Sequence, residues 1–249
     1  MLPYIFGIVN TYYLLWGAAL IIIYLWTARR CVRIYCLPRE DASEALWWVF
    51  LGALAGASLG GYLGNFQDYL ENPAKLLRFW ESPVSSGAAF ICGGLVGLCK
   101  LKRMDMSVDK FAEASSIPIA FALALGRLGC FAAGCCGGLP THSPIGITFP
   151  ANPSTPLWPS QLLESIAALL IGVVLVATER FQRRASLERA IKFPMFLIMY
   201  GGYRFAFDFL REGRGTFGLQ IGQYAGIIGV VTGIGWLTRS IRRGHAVKM

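Results

Sequence analysis

Residues 111–138, FAEASSIPIAFALALGRLGCFAAGCCGG, set the fold class. Residues 111–133 make a stretch apolar enough to cross a hydrocarbon core, which takes ~20 residues of helix. Yet the stretch carries Arg127. An ionised group at that depth costs ~2.5–3.5 kcal/mol or more and by default faces a cavity or a partner. Apolar windows of similar length recur along all 249 residues; 55% of the chain is hydrophobic, against ~45–50% in soluble domains, and mean hydropathy is +0.52. The pattern predicts an all-α integral membrane protein, one polytopic domain over 1–249, with spans near 8–27, 45–64, 86–100, 111–133, 159–178, 193–210 and 221–238. Segment 8–27 lacks a basic leader and a small-residue cleavage site, so it reads as a span and not as a signal peptide.

Charge sets the expected orientation. The net charge is +9, which in a soluble chain would raise nucleic acid as a partner. Here the basic residues cluster between apolar segments: Arg29, Arg30, Arg33 and Arg39; Lys100, Lys102, Arg103 and Lys110; Arg180, Arg183, Arg184, Arg189 and Lys192; Arg239, Arg242, Arg243 and Lys248. These clusters alternate with charge-poor connections, the positive-inside pattern. It predicts a multi-pass protein of the bacterial inner membrane, N-terminus outside and C-terminus inside, with the loops around 65–85, 134–158 and 211–220 periplasmic. The partner is a lipid bilayer and not nucleic acid. The span at 86–100 is short and holds Gly87, Gly93, Gly94 and Gly97, which predicts close helix packing or a tilted, partly broken path. The connection 135–158 is rich in Pro and Gly and reads as irregular, with Pro159 in the first helical turn beyond it.

The ionisable residues inside spans carry the candidate chemistry. Arg127 lies among Gly126, Gly129 and Gly138, which permit close backbone approach to a helix or a ligand. A guanidinium there would clamp a phosphate; the alternative is a structural ion pair. In YGGYRFAFDFLR, residues 200–211, Arg204, Asp208 and Arg211 fall at i, i+4 and i+7 on one helix face. Asp208 would orient Arg204 through a bidentate pair, leaving donors for phosphate, unless the pair serves only to ease insertion. In WPSQLLE, residues 158–164, Ser160 and Glu164 stand one turn apart with Gln161 beside them. Glu164 could balance Arg127 or Arg204, act as a base, or lie at the interface. The seven cysteines, odd in number, do not read as a disulfide framework, with the adjacent Cys135 and Cys136 held open as a redox-sensitive pair or a site of acylation. Cys130, Cys135 and Cys136, with Cys92, could be soft metal ligands, but adjacent cysteines chelate one ion poorly and the usual spacing is absent. The expectation is no metal, and thiols packed between helices.

These segments resemble motifs of the prolipoprotein diacylglyceryl transferase family. GRLGCFAAGCCGG is similar to its GRxGNFxNxExxG, retaining Gly126, Arg127, Gly129, Phe131 and Gly138. Residues 200–211 resemble YGxxRFxxEFxR, with Tyr200 and Arg204 matched, Asp208 in place of glutamate and Arg211 at the last position. WPSQLLE resembles HPSQLYE, and CGGLVG, residues 92–97, resembles HGGLxG. The resemblance implies an enzyme that moves diacylglyceryl from phosphatidylglycerol to a lipoprotein cysteine at the periplasmic face, without metal or organic cofactor. It implies catalytic roles for Arg127, Arg204, Glu164, Asp208 and Cys92. Gly126, Gly129, Gly138, Ser160, Gln161, Gly93, Gly94, Tyr200 and Arg211 would bind substrate.

The departures from the family motifs bear on the acceptor. Cys92 and Trp158 replace motif histidines, Cys130 and Ala133 replace asparagines, and Cys135 replaces glutamate; Trp16 and Tyr62 stand at tyrosine and arginine positions. The phosphate-holding parts are kept and the acid–base parts are not. For a missing base, Glu164 is the first candidate and Cys92 the second. A protein or glycan acceptor, transfer of the glycerol phosphate head group, and a non-enzymatic role in binding or transporting phospholipid stay open at this point.

Overall fold

In the computed structural model, the described residues are 4–5, 9–64, 66–72, 85–150, 152–185, 190–211 and 219–246. Among the described residues seven helices are sixteen residues or longer: α1 (Thr11–Arg33), α2 (Arg39–Gly64), α4 (Ser86–Arg103), α5 (Val108–Ala133), α6 (Ser160–Arg184), α7 (Lys192–Phe207) and α8 (Ile221–Ala246). The short helix α3 (Phe66–Glu71) follows α2, and a two-residue hairpin, β1 (Tyr4–Ile5) with β2 (Val9–Asn10), precedes α1. Among the described residues, four helices are by length and composition able to cross a membrane: Thr11–Arg33, Arg39–Leu63, Val108–Ala133 and Ser160–Arg184. Most of loop 65–85 and of loop 211–220, together with Arg189 and Lys248, lies outside the described residues.

Backbone packing divides the chain into two units, residues 28–111 and residues 1–27 with 112–249. The smaller unit is built on α2 against α4. Gly52, Gly56 and Gly60 recur every fourth residue on α2 and take up Val96, Cys92 and Ala88 of α4, while Gly93 and Gly97 receive Ala53 and Val49 in return. Stripes of small residues let two backbones approach closely, and dispersion contacts then accumulate along the seam. Of the two paths the glycines allowed for the third span, α4 takes the first: it is an unbroken helix, packed closely. Its C-terminal Lys100 reaches Glu44 at 2.6 Å and lies over the Trp48 ring.

The larger unit holds the principal core, formed by Ile117, Ala120, Leu123 and Ala124 of α5, Ala168, Ile171 and Leu175 of α6, and Phe196 of α7. Ser165 ties α6 to α5 by donating to the Ala124 carbonyl at 2.9 Å. Helices α7 and α8 cross through Gly201 and Gly226, where a Cβ on either would lie 2.5–2.6 Å from the other's carbonyl oxygen. At one end of this bundle, the Lys192 ammonium is buried against Glu113 at 2.9 Å and donates to Gln182 at 3.2 Å, and Glu113 accepts the Phe193 amide. These four groups join the start of α5, the end of α6 and the start of α7. At ~1.5 Å per residue, Arg127 lies about 20 Å further along α5, so a second charged cluster occupies the other end.

Two local expectations are corrected. The connection 135–158 is not wholly irregular: β3 (Ile147–Phe149) pairs antiparallel with β4 (Asn152–Leu157), and Phe149 is buried. Pro159 stands immediately before α6, at its cap, instead of inside its first turn; its fixed φ of −76° suits either place.

Candidate active site

Glu164, 1% exposed, is the hub of the site. It sits in the second turn of α6, and its carboxylate draws in guanidinium groups from two other parts of the chain. Arg127 Nε of α5 lies 2.7 Å from Oε2, while Arg204 Nη1 of α7 and Arg211 Nη1 lie 3.3 and 3.5 Å from Oε1. Asp208, also 1% exposed, takes Arg204 Nη2 on Oδ1 at 2.9 Å. Of the three roles open to Glu164, the geometry shows the ion-pair one. Asp208 meets Arg204 through one contact, so the expected bidentate pair is corrected to a single one. The three guanidinium groups face two carboxylates, and this set retains one formal positive charge. Tyr200 and Tyr203 of α7 stack edge to face beside it, ring centroids 5.0 Å apart.

The single helix face expected for Arg204, Asp208 and Arg211 is corrected in its second half. Helix α7 ends at Phe207, residues 208–210 tighten into a 3-10 turn, and Arg211 is extended with φ −116° and ψ 148°. Arg211 still reaches Glu164. Its carbonyl accepts from the Gln220 side chain at 2.9 Å, and the Gln220 amide donates to Gln223 at 2.8 Å, so the start of α8 fixes this turn. Gly222 is the residue the sequence reading missed. A Cβ there would collide with Asp208 Oδ2 and lie 2.8 Å from Arg204 Nη2. Its signal in the sequence was a stripe of small residues at 222, 226, 229 and 233.

Ser160 and Gln161 hold the chain that leaves α5. Ser160 Oγ donates to the Cys136 carbonyl at 2.9 Å, and the Gln161 amide donates to the Cys135 carbonyl. Gln161 Oε1 is buried without a hydrogen-bond partner among the described residues. Gly138 is a close-approach position: its amide donates to the Trp158 carbonyl at 2.8 Å, and a Cβ would lie 2.5 Å from the Leu210 carbonyl oxygen. Gly126 and Gly129 are packed against α1, with Trp16 and Leu15 as their neighbours. Cys92, Gly93 and Gly94 belong to the smaller unit. Cys92 and Gly93 lie in the α2–α4 seam, while Gly94 has open space where a side chain would be.

The end of α5 folds the cysteines together. Gly134, at φ 71°, donates to the Phe131 carbonyl, and the Cys135 amide donates to the Cys130 carbonyl at 3.1 Å. This pair of bonds is a Schellman turn, which returns the second residue past the helix onto its last turn. Cys136 is also left-handed, at φ 62°. As a result the sulfurs of Cys130, Cys135 and Cys136 lie within 4.8 Å of one another. The Cys136 thiol is pushed well below the ordinary thiol range by hydrogen bonds from Cys130 and Cys135 and by the charges of Arg211 and Arg127. Cys135, bonded to the same two thiols, moves upward.

The sequence profile of the prolipoprotein diacylglyceryl transferase family matches residues 3–239. The chain is 29% identical over 226 residues to the phosphatidylglycerol–prolipoprotein diacylglyceryl transferase of Geobacter sulfurreducens, covering 90% of this chain and 81% of that protein. It is 30% identical over 247 residues to the protein of the same name from Idiomarina loihiensis, covering 93% and 88%. For the Photobacterium profundum protein the identity is 34% over 191 residues, covering 73% and 67%. Since the profile runs through nearly the whole sequence and takes in every segment that builds the arginine site, the chain belongs to the prolipoprotein diacylglyceryl transferase family.

Proposed function

We propose that this chain is a phospholipid-dependent transferase, moving diacylglyceryl from phosphatidylglycerol to a lipoprotein cysteine at the periplasmic face of the bacterial inner membrane. The observation that carries this reading is the convergence of Arg127, Arg204 and Arg211 on buried Glu164. A thiolate attacks the glyceryl carbon that bears the phosphate, the carbon–oxygen bond breaks, and negative charge grows on the departing glycerol phosphate. Guanidinium groups already fixed in a low-dielectric site stabilise that charge without reorganising. Gln161 Oε1, buried without a hydrogen-bond partner among the described residues, would accept from a hydroxyl of the head group. Glu164, engaged on both oxygens, holds the arginines; it is their positioning residue. The chain forms one polytopic membrane domain of seven crossings, and the Lys192 end of the larger unit, rich in Arg183 and Arg184, faces the cytoplasm.

The test is purified protein, in detergent and reconstituted in vesicles, with labelled phosphatidylglycerol and a cysteine-containing lipoprotein signal peptide. Release of glycerol phosphate together with lipidated peptide supports the reading. Glycerol phosphate transferred to a glycan would make the protein a head-group transferase, and lipid moving between leaflets with no covalent product would make it a transporter; either result overturns the proposal.

A further inference from the structure

The thiol cluster is a group of chemistry-bearing side chains that the arginine site does not use. Its three sulfurs come from a helix end and from two adjacent residues, and adjacent cysteines ordinarily direct their side chains apart. Here the Schellman turn and the left-handed Cys136 bring both back toward Cys130. The fully buried Ser160 and Gln161 pin the carbonyls of Cys136 and Cys135, so the loop is held in this shape from outside.

We propose that Cys130, Cys135 and Cys136 bind one zinc ion as three thiolates, with the fourth coordination position left for the thiol of the acceptor. This rests on the transferase reading above. Three sulfurs exclude the oxygen-seeking calcium and magnesium and select a soft or borderline ion. Zinc bound at ~2.3 Å in a tetrahedral site sets its sulfurs ~3.8 Å apart. The three sulfurs, all within 4.8 Å of one another, stand close to that spacing. Three protein ligands with one exchangeable position is the arrangement of catalytic zinc, whereas structural zinc is closed by four. Cys136 is exposed, which gives a peptide thiol a way in. Zinc with three thiolates carries one negative charge and a fourth thiolate adds another; the single positive charge that the arginine set retains, with Arg127 one turn before Cys130, offsets them in part.

The chemistry answers the loss of the motif histidines. A thiol that coordinates zinc gives up its proton to solvent, so no side chain has to act as base. The bound thiolate then forms the carbon–sulfur bond as the carbon–oxygen bond to phosphate breaks, and the electron pair leaves on glycerol phosphate at the arginines. No oxidant or reductant enters.

The experiment uses the full chain, solubilised and purified without chelator, with metal measured by mass spectrometry. One zinc per chain is expected. Cys130→Ser, Cys135→Ser and Cys136→Ser should each weaken zinc binding by more than the roughly 10–100-fold that loss of an outer-shell partner costs, while Cys99→Ser retains the metal. To remove doubt about folding of variants, zinc in the unaltered protein is exchanged for cobalt(II). A sulfur-to-cobalt charge-transfer band is expected, and a cysteine peptide, but not its serine analogue, should shift the cobalt ligand-field bands. Protein that holds no metal, that holds copper in place of zinc, or whose cobalt spectrum ignores the peptide overturns the proposal. The two readings fail separately. Full release of glycerol phosphate after chelation removes zinc from the reaction and leaves the transferase standing. A zinc site that takes up the peptide thiol but never releases glycerol phosphate does the reverse.

Discussion

Each arginine of the site contributes geometry as well as charge. Arg127 meets Glu164 through Nε, and Arg204 divides its two terminal nitrogens between Glu164 and Asp208. A lysine keeps the charge but loses the planar fork that spans two phosphate oxygens. Arg127→Lys and Arg204→Lys are each expected to lower turnover by on the order of 10²-fold, because the contact strengthens as charge develops on the leaving phosphate. Initial rates normalised to inserted protein check this, and near-normal rates in both would remove the arginines from the reaction. Glu164 makes a sharper case, since the sequence offered it as a base and the structure surrounds it with cations. Glu164→Gln is expected to lower the rate at every pH while leaving the shape of the pH–rate profile unchanged. A profile that loses its acidic limb in the variant would return Glu164 to the role of base.

Helix contacts determine whether those residues meet. The start of α8 lies so close to Asp208 that only hydrogen fits at position 222. Gly222→Ala should displace the Asp208 carboxylate and cut activity severely, whereas Gly235→Ala, with open space at its Cβ, should be neutral. An active Gly222→Ala enzyme would show that the Arg204–Asp208 pair is dispensable. At the other end of the bundle, Lys192 and Glu113 fix α5, α6 and α7 to one another. Removing one partner strands a buried charge, at a cost of about 3–5 kcal/mol, while replacing both with apolar residues is often near neutral. Lys192→Met alone should therefore lower the unfolding midpoint in detergent well below that of Lys192→Met combined with Glu113→Leu. Equal midpoints would mean that the pair does not stabilise the bundle.

The larger unit carries a charged cluster at each end, and the proposed topology assigns one to each side of the membrane. Under the proposed topology the end with Lys192, Arg183 and Arg184 lies on the cytoplasmic side, by the positive-inside pattern, and the arginine site at the outer end. Reporters fused in loop 134–158 and at the C-terminus should report periplasm and cytoplasm respectively. A C-terminal reporter active only in the periplasm would reverse the molecule and place the site on the inner face, where lipoprotein signal segments are not processed under the proposed reaction.

The membrane class, the family and the presence of charged groups inside apolar segments were legible in the linear chain. Apolar length is a property of composition, and a charge inside an apolar window must find a partner wherever the chain goes. The family motifs named Arg127, Arg204, Glu164 and Asp208 before any contact was known. Which partner each one finds was not legible. Glu164 lies 37 residues from Arg127 and 40 from Arg204, and Phe193 lies 80 from Glu113. Such pairings follow from how helices pack, not from spacing along one of them. Gly222 gains its meaning only from the carboxylate opposite it. The thiols at 130, 135 and 136 read as poor chelators by spacing. The backbone bonds of one helix end, and two left-handed residues after it, turn them toward a common point.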